Sequence, residues 1–189
     1  MFLSLAALLC VSAMTVNSAK AQFSMGIKVA ANAASYSKLT QRNFGWDAGL
    51  FLRLGDRFYF QPEVNYVFKR SSLIDNVGDA STGDMLKQHY ISVPALFGYH
   101  FIDNDNFKFH FTIGPRFDFK VADNFKDNPW QSGALQWGGQ LGVGIDFWRF
   151  TLDVGYYIAA DNFRNSETSE SRTRMSNAFL VGLGFKIVK

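Results

Sequence analysis

Residues 106–120, NFKFHFTIGPRFDFK, alternate without a break. Phe107, Phe109, Phe111, Ile113, Pro115, Phe117 and Phe119 hold the odd positions, and Lys108, His110, Thr112, Gly114, Arg116, Asp118 and Lys120 the even ones. A period of two belongs to a β-strand with two unlike faces. The stretch exceeds the roughly 5–6 residues usual in a soluble strand. It also exceeds the ~9–11 residues that cross a bilayer at a tilt. What this chain can fold into therefore turns on which solvent the Phe row meets.

The same alternation recurs along the chain. Residues 23–34 set Met25, Ile27, Val29 and Ala31 against Lys28 and Asn32, the weakest case. Residues 44–54 set Phe44, Trp46, Ala48, Leu50, Leu52 and Leu54 against Asp47, Gly49 and Arg53. Residues 57–69 set Phe58, Phe60, Pro62, Val64, Tyr66 and Phe68 against Arg57, Tyr59, Gln61, Glu63, Asn65 and Lys69. Four more segments, 89–101, 136–148, 149–160 and 175–189, repeat the pattern, with Phe97, Trp137, Val143, Leu152, Val181 and Leu183 among their apolar positions. Eight such segments predict an all-β chain, an eight-stranded antiparallel up-and-down transmembrane β-barrel.

The connections sort by length. Gly55-Asp56, Asp103-Asn104-Asp105 and Trp148-Arg149 are tight, whereas 35–43, 70–88, 121–135 and 161–174 are long and polar. Short turns at one end and long loops at the other are the habit of an outer-membrane barrel, with termini and turns in the periplasm and long loops outside. A soluble meander has no reason to sort its loops.

Volume decides which face points in. The interior of an eight-stranded barrel is only just wide enough to be filled by side chains. The chain has 20 Phe, most of them on the apolar faces, and they would not fit there with the Trp and Tyr. The apolar rows are therefore expected against lipid: Trp46, Phe60, Phe97, Phe109, Phe111, Ile113, Phe117, Trp137, Val143, Leu152, Val181 and Leu183. Trp46 and Trp137 read as interface-belt residues. The other face, charged groups spaced by Gly, is expected in the lumen as a polar network: Lys28, Asp47, Arg53, Glu63, Lys108, His110, Arg116, Asp118, Asp146, Asp153 and Lys186. Unpaired buried charge is costly, so these groups should pair and plug the interior. The alternative is a soluble lipocalin-like barrel holding a hydrophobic ligand, with the apolar face inward.

Residues 1–21 read as a cleaved signal peptide, an apolar run followed by the small-x-small pattern Ala19-Lys20-Ala21, although no Lys or Arg precedes the run. The barrel domain is then 22–189. Cys10, the only cysteine, falls in the signal peptide behind Leu9, where a lipoprotein signal would carry a small residue. The remaining chain has no disulfide or thiolate chemistry available. The net charge of +3 with no basic block gives no argument for nucleic acid.

Short motifs add a family resemblance. Ala48-Gly49-Leu50-Phe51, Phe60-Gln61-Pro62-Glu63-Val64-Asn65-Tyr66, Tyr90-Ile91-Ser92-Val93-Pro94, Gly114-Pro115, Gly142-Val143-Gly144, Asp153-Val154-Gly155-Tyr156 and Gly182-Leu183-Gly184-Phe185 follow one another in order. Together they resemble the PorT-like outer-membrane β-barrel domain of Bacteroidetes, a small barrel of the OmpX and OmpA kind. Ser92 stands where that family often has an acidic or apolar residue. The resemblance implies an eight-stranded barrel in the outer membrane and no activity. Outer-membrane lipid and the barrel-assembly machinery are the expected partners, with envelope or secretion proteins of unknown identity as further ones, and the resemblance transfers no secretion role.

Candidate sites are few. The glycine-rich run 138–144 is not followed by a helix, and its glycines fall on an inward face, so no phosphate site is expected. His100 and His110 face inward on neighbouring segments. No third ligand is evident, so the expectation is two lumen histidines and no metal. An enzyme acting on lipid or peptide would use His89 with loop Ser and Asp in 79–84 or 166–171, but no spacing joins them. Glu63 and Arg116 are expected to form an interior bridge. The sequence thus predicts a non-enzymatic scaffold, anchor or loop-presenting barrel, with no catalytic residue and no cofactor.

Overall fold

The computed structural model describes residues 23–36, 39–72, 85–104, 107–123, 130–132, 134–165 and 171–188. The strands are β1 (Phe23–Tyr36), β2 (Leu39–Gly55), β3 (Phe58–Ser72), β4 (Met85–Asp103), β5 (Phe107–Asp123), β6 (Trp130–Ser132), β7 (Leu135–Phe147), β8 (Phe150–Asn165) and β9 (Ser171–Val188). Every pairing is antiparallel, and β9 pairs with both β1 and β8. The sheet thus closes into an eight-stranded barrel, in which the three-residue β6 takes the edge of β8 beyond the start of β7. Among the described residues each of the eight barrel strands is paired on both sides, as a barrel in lipid requires. The predicted signal peptide, residues 1–21, lies outside the described residues.

The period of two sets what each face meets. On β7 the burial alternates almost strictly, with Gln136, Gln140, Gly142, Gly144 and Asp146 buried and Trp137, Leu141, Val143, Ile145 and Phe147 exposed. Trp46, Phe97, Ile113, Phe117, Leu152, Val181 and Leu183 are likewise exposed on the outer wall. Phe60, Phe109 and Phe111 lie half-buried on it, with Phe60 stacked 5.1 Å from Phe97 and Phe109 6.2 Å from Phe101. A soluble barrel holding a hydrophobic ligand would need these rows inside.

The strands run past the predicted ends. β1 and β2 pair out to Tyr36 with Leu39. Residues 35–43 are therefore not a long loop, and only 37–38 lie between the strands. β3 and β4 pair as far as Ser72 with Met85, and β8 and β9 as far as Arg164 with Ser171. The physical reason is that ladder bonding needs only a neighbour, not an apolar face, so pairing continues where the apolar rows stop. At the other end the turns are as short as expected. Gly55 (φ 121°) and Trp148 (φ 53°) hold the tight reversals between β2 and β3 and between β7 and β8.

Candidate functional site in the barrel lumen

The inward positions of all eight barrel strands meet in one packed interior. Its polar groups sort into three layers from the long-loop end to the short turns. In the first, Lys69 Nζ donates to Asp118 Oδ2 (3.0 Å) and Gln136 Oε1 (3.2 Å). Gln136 in turn donates to the Tyr90 hydroxyl (3.0 Å). Arg116 donates through Nε to Asp118 Oδ1 (2.8 Å) and through Nη1 to Gln140 (3.2 Å), and its Nη1 lies 4.0 Å from Asp47.

The middle layer centres on Glu63. Its two oxygens accept from Lys28 Nζ at 2.8 and 2.7 Å, from Gln61 at 2.7 Å and from Asn65 at 2.9 Å. The predicted Glu63–Arg116 bridge is therefore replaced by Glu63–Lys28 and Arg116–Asp118. The pairing follows the stagger of strands across the barrel, which brings Lys28 of β1 level with Glu63 of β3, two strands away. Arg57, also read as inward, is exposed in the turn with its guanidinium 5.6 Å from the Tyr99 ring.

The third layer lies by the short turns. Asp146 Oδ2 accepts from Arg53 Nη1 and from Lys186 Nζ (2.7 Å). His110 Nε2 meets Asp153 Oδ1 at 2.8 Å, and His100 Nδ1 meets the Asp56 carbonyl at 2.7 Å. Lys108 pairs with Asp103 at the mouth. His100 and His110 stand directly opposite each other in the ladder. Gly144, opposite His110, is small of necessity, because a Cβ there would overlap Asp153 and His110. Three of the buried cations also lie over tyrosine rings: Arg53 on Tyr59 (4.4 Å), Lys69 on Tyr90 (4.5 Å) and Arg116 on Tyr157 (4.6 Å). Such contacts contribute up to about 2 kcal/mol each once desolvated.

All eleven residues named from sequence for the lumen lie on this inner wall, Lys108 and Asp153 partly exposed and the others buried or nearly so. The sequence reading passed over Phe51 and Leu96, which fill space among them, and Tyr90 and Tyr157 beneath two of the cations. Parity along the strands was the signal for both. A cavity of about 30 Å³, bordered by Lys28, Glu63, Arg116 and Asp153, opens between the first and last layers. It has room for about two water molecules. The glycine run 138–144 lies within β7. His89 faces outward, its Nδ1 bonded to the Tyr66 hydroxyl. The loop residues 79–84 and 166–170 considered with it lie outside the described residues.

The chain matches the family model described as "Outer membrane protein beta-barrel domain" over residues 12–165. No curated protein matches it in sequence. In fold it is similar to the outer membrane enzyme PagL (13% identity, 85% of this chain and 98% of that one, TM-score 0.57). It is also similar to the outer membrane protein OprG from Pseudomonas aeruginosa (10% identity, 89% and 97%, TM-score 0.52). Neisserial surface protein A is a third (18% identity, 87% and 97%, TM-score 0.51). At these identities the likeness is one of fold. The family match, the closed eight-stranded sheet and the outward apolar rows lead to one assignment: this chain belongs to the outer membrane protein beta-barrel domain family and is a small barrel of the bacterial outer membrane.

Proposed function

We propose that this barrel is non-enzymatic and works as a plugged membrane anchor or scaffold, presenting its long-loop end to the cell exterior or to partner envelope proteins. The observation that carries the reading is the filled lumen, with Glu63, Arg116, Asp118 and Asp146 buried and paired around a cavity of about 30 Å³. A barrel so filled offers a solute no path. The outer rows face lipid in this reading, and Trp46 and Trp137 sit in the interface belt. The termini and tight turns are periplasmic, because β1 begins and β9 ends beside those turns while the strands project at the opposite end. Residues 1–21 serve as the export signal. Assembly runs through the barrel-assembly machinery, and the finer kinship is with the PorT-like barrels, on the motif order given above.

Two measurements test this. Purified folded barrel in a planar lipid bilayer should show no discrete conductance steps. A deletion strain should keep its lipid A acylation and its outer-membrane protein fragments unchanged. Stepwise conductance would overturn the plug. A lipid or peptide change restored by the intact gene would overturn the non-enzymatic reading in favour of the enzyme alternative, the class to which PagL belongs.

A further inference from the structure

Three buried atoms in the layer by the short turns converge without hydrogen-bond partners: His100 Nε2, His110 Nδ1 and Asp146 Oδ1. The three side chains are 0–4% exposed, and one ligand atom from each lies within 4.8 Å of the others. The rings cross edge to face with centroids 5.8 Å apart. What the remaining ring nitrogens touch selects the tautomer of each neutral ring. His100 Nδ1 lies 2.7 Å from a backbone carbonyl, which only accepts, so Nδ1 carries the hydrogen and Nε2 is left with a lone pair. His110 Nε2 lies 2.8 Å from the Asp153 carboxylate and carries the hydrogen there, so in the neutral ring Nδ1 keeps the lone pair.

Three lone pairs thus face one another in a buried space. The Asp146 oxygens stand 3.7 Å from His100 Nε2 (Oδ2) and 3.7 Å from His110 Nδ1 (Oδ1), beyond hydrogen-bond length. A single water has two hydrogens for three acceptors. We propose that His100, His110 and Asp146 form a site for a divalent first-row transition-metal ion, with zinc as the type. Two imidazoles and one carboxylate are a familiar ligand set for such ions. The outer partners fit too, since ligating histidines characteristically donate their other N–H to a carboxylate or a backbone carbonyl. Tetrahedral ligands at ~2.0–2.1 Å from zinc stand roughly 3.4 Å apart, so the site closes by a small inward shift of the side chains.

Arg53 and Lys186 both bind Oδ2 of Asp146 and leave Oδ1 to the metal. Their charge lowers the affinity below that of a site without neighbouring cations. The bound ion ties β4, β5 and β7 together beside the short turns. With the ligands buried, loading accompanies folding of the barrel.

The test uses the untagged chain refolded in detergent micelles, stripped with chelator and refolded again with Zn²⁺ or Co²⁺. One metal per chain should be retained through gel filtration. X-ray absorption of the zinc form should show two imidazoles. His100→Gln and His110→Gln, each checked for folding by heat-shifted gel mobility, should each weaken retention by about tenfold or more. A folded barrel retaining no metal would overturn the proposal, as would retention unchanged in both variants. If the variants fail to fold, the wild-type spectrum decides. The chain has three histidines, so one imidazole or none would place the metal on outward His89 or elsewhere and refute the site.

Discussion

Glu63 shows how much a single side chain holds in this lumen. It takes hydrogen bonds from Lys28, Gln61 and Asn65 at once. Glu63→Gln leaves the Lys28 ammonium without its counter-charge, and such a change typically costs about 3–5 kcal/mol. Urea unfolding in lipid vesicles should report a loss of that size, and adding Lys28→Met to Glu63→Gln should recover most of it. Equal stability of the single variant and the wild type would refute the pairing. On the outer wall, Ile113→Lys places a charge at mid-strand in the proposed lipid-facing row. It should cost about 2–4 kcal/mol in the same assay, and a loss near zero would place that row in water. Which face each of these residues occupies was readable from parity alone. Which partner it takes was not, because Lys28 and Glu63 sit two strands apart and meet through the stagger of the closed sheet. Asp146 was missed beside His100 and His110 for the same reason. It lies on β7, across a long connection whose register no local motif fixes.

At the scale of the strand, the apolar rows located all eight barrel strands, but they stop short of the strand ends. β2 extends to Leu39 and β4 starts at Met85, where the sequence has no two-faced pattern to read. The short β6 carries no alternation at three residues, so periodicity could not find it. Prolines interrupt the ladders from within. Two successive pairs are missing beside Pro62 between β2 and β3, beside Pro94 between β3 and β4, and beside Pro115 between β4 and β5. Proline has no N–H to give, and the three gaps step diagonally across neighbouring strands. Turns carry strain of a different kind. Gly55 sits at φ 121°, and a Cβ there would overlap the Phe58 carbonyl. Gly55→Ala should therefore destabilise the β2–β3 hairpin by about 1–3 kcal/mol. Slower refolding into vesicles and a lower urea midpoint would report it, and an unchanged midpoint would contradict the turn geometry.

For the whole molecule, closure and filling act together. Among the described residues each of the eight strands is paired on both sides, the inner wall is polar and packed, and the outer wall is apolar. Sequence volume was enough to choose between the two faces, since the Phe rows cannot fit inside eight strands. Family membership then names the membrane. Folded barrel loaded unboiled on a gel should migrate apart from the boiled sample, because closure survives detergent at room temperature. Identical mobility would speak against a closed sheet. The most direct test of the central claim asks what the outer rows touch. Single nitroxide labels at Phe97, Ile113, Val143 and Val181, on the barrel refolded in lipid vesicles, should collide with oxygen and be shielded from a water-soluble nickel complex. Labels that collide freely with the nickel complex would show those rows in water and contradict the account.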